Sequence, residues 1–175
     1  MIAIRTLLTL TLLLGVAYPL AVTGLAQLLF PWQANGSLLT NAKQQVVGSA
    51  LLAQKFERAD YFHSRPSASD FATIGGGGSN LGMSSPLRAE FAVAAARAQP
   101  EARVPALLTR SASGLDPHLP LAAALAQVAR VAGQRGLDPV QLTEQVKSAA
   151  QAGILGPQVV NILQLNLQLD HQKGA

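Results

Sequence analysis

The chain has 175 residues, 49% of them hydrophobic and only 13% charged, with a formal net charge of +4 and no cysteine. That length suits one domain plus an appendage, the charged share is about half that usual in soluble proteins, and the lack of cysteine excludes disulfides and thiolate metal sites. The basic residues are scattered, without a run and without interleaved aromatics, which argues against a nucleic-acid partner.

The apolar excess lies at the N-terminus. Thr6 to Phe30, TLLTLTLLLGVAYPLAVTGLAQLLF, carries no charge and a single Gln27. As a helix it spans about 37 Å, more than the ~30 Å hydrocarbon core of a bilayer needs. One reading is a cleaved signal peptide with Gly24-Leu25-Ala26 as its cut site, which would leave a secreted binding protein. The other is a permanent single-pass anchor. The run outlasts a signal peptide's apolar region of roughly 7–15 residues. Leu25, Leu28, Leu29 and Phe30 also continue past the supposed cut, and Trp32 stands where an interfacial aromatic belongs. The anchor is therefore favoured. Pro19 predicts a kink, and Thr6, Thr9, Thr11, Gly15, Thr23 and Gly24 are small enough for a close helix neighbour. Arg5 and the α-amino group precede the run and only Lys43 closely follows it. Positive charge then places residues 1–5 in the cytoplasm, a transmembrane helix over 6–30, and a soluble domain over 31–175 outside, in a periplasm if the cell has one.

Beyond the anchor, Asn35-Gly36 marks a turn, and Ser37–Leu39 and Val46–Phe56, broken at Gly48-Ser49, read as short strands. Residues 57–83 are full of breakers, including YFHSRPSASD and GGGGSNLG. Ser85-Pro86 predicts a helix start, with Leu87, Phe91, Ala94 and Ala98 on one face and Pro100 closing it. Val104–Thr109 reads as a short edge strand. Leu115-Asp116-Pro117 and Leu137-Asp138-Pro139 look like twin helix entries. The first helix carries Leu121, Leu125, Val128 and Ala132 and stops near Gly136. The second carries Val140, Val146 and Ala150 and stops at Gly153. A last helix from Pro157 through VVNILQLNLQL is apolar nearly all round and should be buried. The sum is an α+β chain: a single N-terminal transmembrane helix, then one soluble mixed domain with short strands first and a helical C-terminal half.

Three stretches carry residue types that do chemistry. SASGLDPHLP holds Ser113, Asp116 and His118, the side-chain types of a membrane-anchored serine hydrolase, with Gly114 shaping the backbone between them. A triad must converge in space, which near neighbours on one turn rarely achieve, and no Gly-x-Ser-x-Gly elbow exists. A corner with a polar rim, its Asp116 capping a helix, is the better reading. In GGGGSNLG, the residues Gly76, Gly77, Ser79 and Asn80 lack the Lys that completes a phosphate-binding loop, so a structural or partner-contact loop is favoured. His63 and Arg65 beside Tyr61 and Phe62 read as structural hydrogen bonding, because no two histidines share metal-ligand spacing. No catalytic residue and no metal site is expected.

Together these stretches point to a family. YPLAVTGLAQLLFPWQANGSL, VGSALLAQKF, YFHSRPSAS, GGGGSNLG, SASGLDPHLP and VNILQLNLQLD run in order nearly end to end. With them the chain resembles the C subunit of the Kdp-type potassium-transporting P-type ATPase. Ala112, Leu119-Pro120 and Ile74 with Gly75 to Gly78 depart from the family's usual wording. The resemblance implies a non-catalytic accessory subunit of an ATP-driven potassium uptake pump in the inner membrane. It implies as partners a channel-like potassium-translocating subunit, an ATP-hydrolysing P-type subunit and a small single-helix subunit. It also implies a catalytic chaperone that raises the ATP affinity of the hydrolysing subunit, with no firmly bound cofactor and ATP met through the complex. No Asp-Lys-Thr-Gly-Thr motif occurs, so this chain is not the phosphorylated subunit.

Overall fold

The structure, a computed structural model of the chain, describes residues 1–98, 103–152 and 156–173. It divides into two compact units, residues 1–38 and 39–175.

In the first unit the apolar run is one continuous helix. α1 (Ile2–Leu12) passes through a π-helical turn over Leu13–Ala17 into α2 (Tyr18–Leu29). Pro19 explains the turn. Its ring has no N–H and presses on the carbonyl four residues back, that of Gly15, and widening the helix there relieves the clash. The 28-residue helix Ile2–Leu29 is long and apolar enough to cross a membrane, and none of its most apolar window is buried in the protein. Pro31 then opens the single turn α3 (Pro31–Ala34). Here the polar residues close on one another: the Asn35 amide donates to Gln27 Oε1 (3.0 Å) and to the Pro31 carbonyl (2.7 Å). Trp32 Nε1 donates to the Leu38 carbonyl (2.9 Å).

β1 (Leu38–Thr40), which begins on the last residue of the first unit, and β2 (Val46–Ser49) form a two-stranded sheet. The strand expected to run on to Phe56 stops at Ser49. The Ser49 hydroxyl accepts from the Leu51 N–H and its carbonyl accepts from the Leu52 N–H, which turns the chain away. α4 (Pro86–Ala98) follows, beginning at Pro86 as the sequence indicates. Val104–Thr109 is not a strand. Pro105 sits at the first position of a one-turn helix, α5 (Pro105–Leu108), and Thr109 closes it with its N–H and hydroxyl both donating to the Pro105 carbonyl. A proline that cannot donate costs nothing at a helix N-terminus.

The first Leu-Asp-Pro entry also resolves differently. His118–Pro120 is a strand, β3, and the helix starts only at Leu121. Pro120 forces Leu119 into extended backbone and, having no N–H, suits a sheet edge. The helix then breaks at Ala126-Gln127 into α6 (Leu121–Leu125) and α7 (Val128–Arg135), and Gly136 at φ +67° ends it as expected. α8 (Pro139–Ser148) has the anticipated cap, Asp138 accepting from the N–H groups of Val140 and Gln141. It ends before β4 (Ala150–Gln151); Gly153 and Pro100, the two predicted stops, lie outside the described residues.

The last apolar segment begins as a strand, β5 (Val159–Asn161), and only then becomes α9 (Ile162–Lys173). β5 is the centre of an antiparallel sheet ordered β3-β5-β4, pairing Leu119 and Ala150 with Val160. The fold is α+β, and the C-terminal half supplies this sheet as well as helices. Its core joins Phe62, Leu107, Leu119, Val131, Leu142, Val146, Val160, Ile162 and Leu165. α9 buries one face, Ile162, Leu163, Leu165, Asn166 and Leu169, while Gln168 and residues 170–172 are exposed, so it is amphipathic rather than buried all round.

Candidate functional site

The three stretches meet in one place. The first, residues 58–67, has almost no regular structure of its own, yet Phe62 is fully buried. Its backbone is paired by side-chain amides. Asn166 of α9 accepts from the Phe62 N–H and donates to the Phe62 carbonyl, both at 2.9 Å. Gln127, in the break between α6 and α7, does the same for His63, at 2.8 and 3.0 Å. Two buried carboxamides thus stand in for a neighbouring strand. Arginines of α7 bind the preceding carbonyls: Arg130 reaches those of Ala59 and Tyr61, and Arg135 Nε reaches that of Asp60 (2.6 Å). Arg135 also pairs with Asp170 (2.9 Å), which accepts from the Tyr61 hydroxyl (2.9 Å). Burial, with the hydroxyl's bond to Asp170, pushes the Tyr61 phenol up. Arg58, donating to both carboxylate oxygens of Asp60, holds that carboxyl below its usual value.

From this clamped segment Arg65 extends to the next stretch. It donates to the Thr109 hydroxyl (3.3 Å) and the Arg110 carbonyl (3.0 Å), with Asp116 3.9 Å away. The Ser111 N–H donates to the Pro66 carbonyl (3.1 Å), and the Ala53 N–H to that of Leu115 (3.0 Å). The corner 111–118 is thereby bound on two sides.

The Gly-rich loop closes the third side by backbone contact. A Cβ at Gly78 would lie 2.8 Å from the Ala112 carbonyl oxygen. One at Gly114, where φ is +71°, would lie 2.8 Å from the Gly77 carbonyl oxygen and 2.9 Å from the Ser69 hydroxyl. Glycine is required at both positions, because any side chain would push two backbones apart. Gly76 sits against Leu115, while Gly77 faces open space. Asn80 adopts φ +53°, a left-handed conformation asparagine tolerates.

The side chains suspected of catalysis serve local turns. Ser113 Oγ accepts from the Leu115 N–H (3.1 Å), and Asp116 Oδ1 accepts from the His118 N–H (3.0 Å), opening strand β3 rather than capping a helix. The His118 ring stands 3.9 Å from the Asp116 carboxylate, and no hydrogen bond joins it to Ser113. His63 Nε2 lies 3.1 Å from the Arg58 carbonyl oxygen. Among the described residues no three His, Cys, Asp or Glu side chains cluster as metal ligands would. The arrangement offers a stiff, shaped surface with carbonyl, hydroxyl and imidazole groups on its rim.

Sequence reasoning missed Gln127, Asn166, Arg130 and Arg135. Asn166 had a signal: it stands four residues after Ile162 and three before Leu169, on their apolar helix face, where a carboxamide must have a partner.

The model of the K+-transporting ATPase c chain family, KdpC, matches residues 1–171. The chain is 52% identical over 172 residues to the potassium-transporting ATPase KdpC subunit of Pseudomonas aeruginosa, covering 95% of this chain and 93% of that one. It is 49% identical over 172 residues to the KdpC subunit of Pseudomonas putida, covering 96% and 93%. The KdpC subunit of Pseudomonas syringae pv. tomato is 45% identical over 177 residues, covering 99% and 93%.

Proposed function

The chain belongs to the KdpC family of potassium-transporting ATPase C chains, and from that premise we propose that its second unit raises the ATP affinity of the pump's hydrolysing subunit. The chain is an accessory subunit in potassium uptake, and a subunit implies partner subunits. The partners in this reading are the channel-like translocating subunit, the ATP-hydrolysing subunit and the small single-helix subunit. The helix Ile2–Leu29 anchors the chain in the inner membrane, with Arg5 on the cytoplasmic side and the domain on the other. From there the domain acts on ATP affinity through the shape of the complex, with no firmly bound cofactor of its own.

The observation that carries this reading is the family match across 171 residues, anchor and corner alike. The geometry favours holding over chemistry. The polar groups of Ser113 and Asp116 are engaged in turns, while Gly78 and Gly114 bring the loops into backbone contact. A rigid surface transmits a conformational preference to a partner better than a mobile one, since less ordering entropy is lost on binding.

The test is the KM for ATP of the purified pump with and without this chain. The chaperone role predicts a KM several-fold higher without it and restored by adding it back. An unchanged KM would end the chaperone role while leaving membership of the complex intact.

A further inference from the structure

α4 stands out in the second unit because it is apolar and uncovered. None of Pro86–Arg97 is buried, and Leu87, Phe91 and Val93 are exposed, as is Met83 just before it. Beside it lies a cavity of about 470 Å³ lined by Arg65, Arg88 and Arg110 with Phe91, Met83 and Leu108, and among the described residues by no carboxylate. The three guanidinium groups are incompletely matched. Arg110 stacks on the Phe91 ring, 3.5 Å from its centroid, and Arg88 donates to the sulfur of Met83. Arg65 Nε is buried without an acceptor. Among the described residues the only carboxylate paired with any of the three is Asp116, 3.9 Å from Arg65.

We infer that this groove docks an acidic, apolar segment of a partner subunit of the pump, a carboxylate seating between Arg88 and Arg110 while apolar side chains cover Phe91, Leu87 and Met83. The inference rests on the subunit role proposed above and locates one contact for it. Charge complementarity selects the occupant. Arginines desolvated by an apolar partner must be given carboxylates, since an unpaired buried charge is costly. A small oxyanion would satisfy the arginines and leave the apolar helix exposed. A lipid surface suits helices with a Lys- and Arg-rich polar face, whereas α4 carries two arginines and the exposed Glu90.

The test uses the assembled pump, purified through a tag on the full chain, in wild type, Arg88→Glu/Arg110→Glu, and a charge-matched control, Lys43→Glu/Lys147→Glu, whose residues lie outside the cavity lining. After a high-salt wash, the arginine pair should retain about tenfold less partner subunit than wild type, and the control should match wild type. The milder Arg88→Gln/Arg110→Gln pair is read in parallel, with circular dichroism, so that a folding loss in the reversed pair does not decide the matter. Wild-type chain that brings no partner overturns the subunit role and this inference with it. Wild type that brings partners while both arginine pairs retain them equally overturns the docking site alone. Variants that keep the partners and lose binding to phosphatidylglycerol vesicles, or to inorganic phosphate, assign the groove to those ligands and overturn the inference as well.

Discussion

Replacing Asn166 by leucine isolates the amide clamp on residues 62–63. Asn166 is 2% exposed and binds both backbone groups of Phe62, whose side chain is at the centre of the core. Leucine fills the volume and offers neither donor nor acceptor. Two buried backbone groups then lose their partners, at about 1–3 kcal/mol each. The added apolar burial returns about 1 kcal/mol, so the net loss is ~3 kcal/mol. In a domain of this size that lowers the midpoint of unfolding by ~10 °C. Thermal unfolding of the full chain in detergent, followed by circular dichroism, measures it, and amide exchange at Phe62 gives a local check. Asn166→Ala should be no milder, because the loss lies in the unmatched backbone and alanine adds a cavity. A leucine variant within about 0.5 kcal/mol of wild type, with Phe62 still protected, would refute the reasoning, since that is the scale of an ordinary surface change.

Other outcomes follow from the same geometry. Gly114→Ala should destabilise the corner by about 2–4 kcal/mol, read in the same melt, because it adds both a positive-φ strain and a clash with the Gly77 carbonyl. The Arg58 hydrogen bonds that hold the Asp60 carboxyl low also make stability pH-dependent. That contribution is complete above the unfolded carboxyl's value of about 3.9 and is lost as pH falls through the lower folded value, so Asp60→Asn should flatten this acid limb in pH-resolved melts. Because the chain contains no cysteine, Ser148→Cys on the exposed side of α8 gives a single label site. A membrane-impermeant thiol reagent should modify it in intact cells, and protection would reverse the proposed orientation.

What the sequence made legible was local. Asp138-Pro139 and Gly136 place a cap and a left-handed stop that depend on a few neighbouring atoms, and both are where they were expected. The apolar run gives its helix by composition alone. Features set by distant partners were not legible. Val159–Asn161 continues an apolar helix-like pattern, but the strand His118–Pro120, made extended by two prolines, offers it a ladder. Asn161 then serves as the α9 cap, accepting from the Gln164 N–H while its amide donates to the Ala50 carbonyl. In the corner, SASGLDPHLP and GGGGSNLG were recognisable as shaped backbone. Their contact through Gly78 and Gly114 depends on a fold that local patterning does not encode. Gln127 gave no warning at all, because a glutamine between two helices is ordinary until the backbone of His63 lies against it.

Potassium uptake itself tests the central claim most directly. In cells that carry the other pump subunits, removing this chain should slow uptake from low external potassium, and re-expressing it should restore the rate. Uptake that proceeds unchanged without it would contradict an accessory role in the pump.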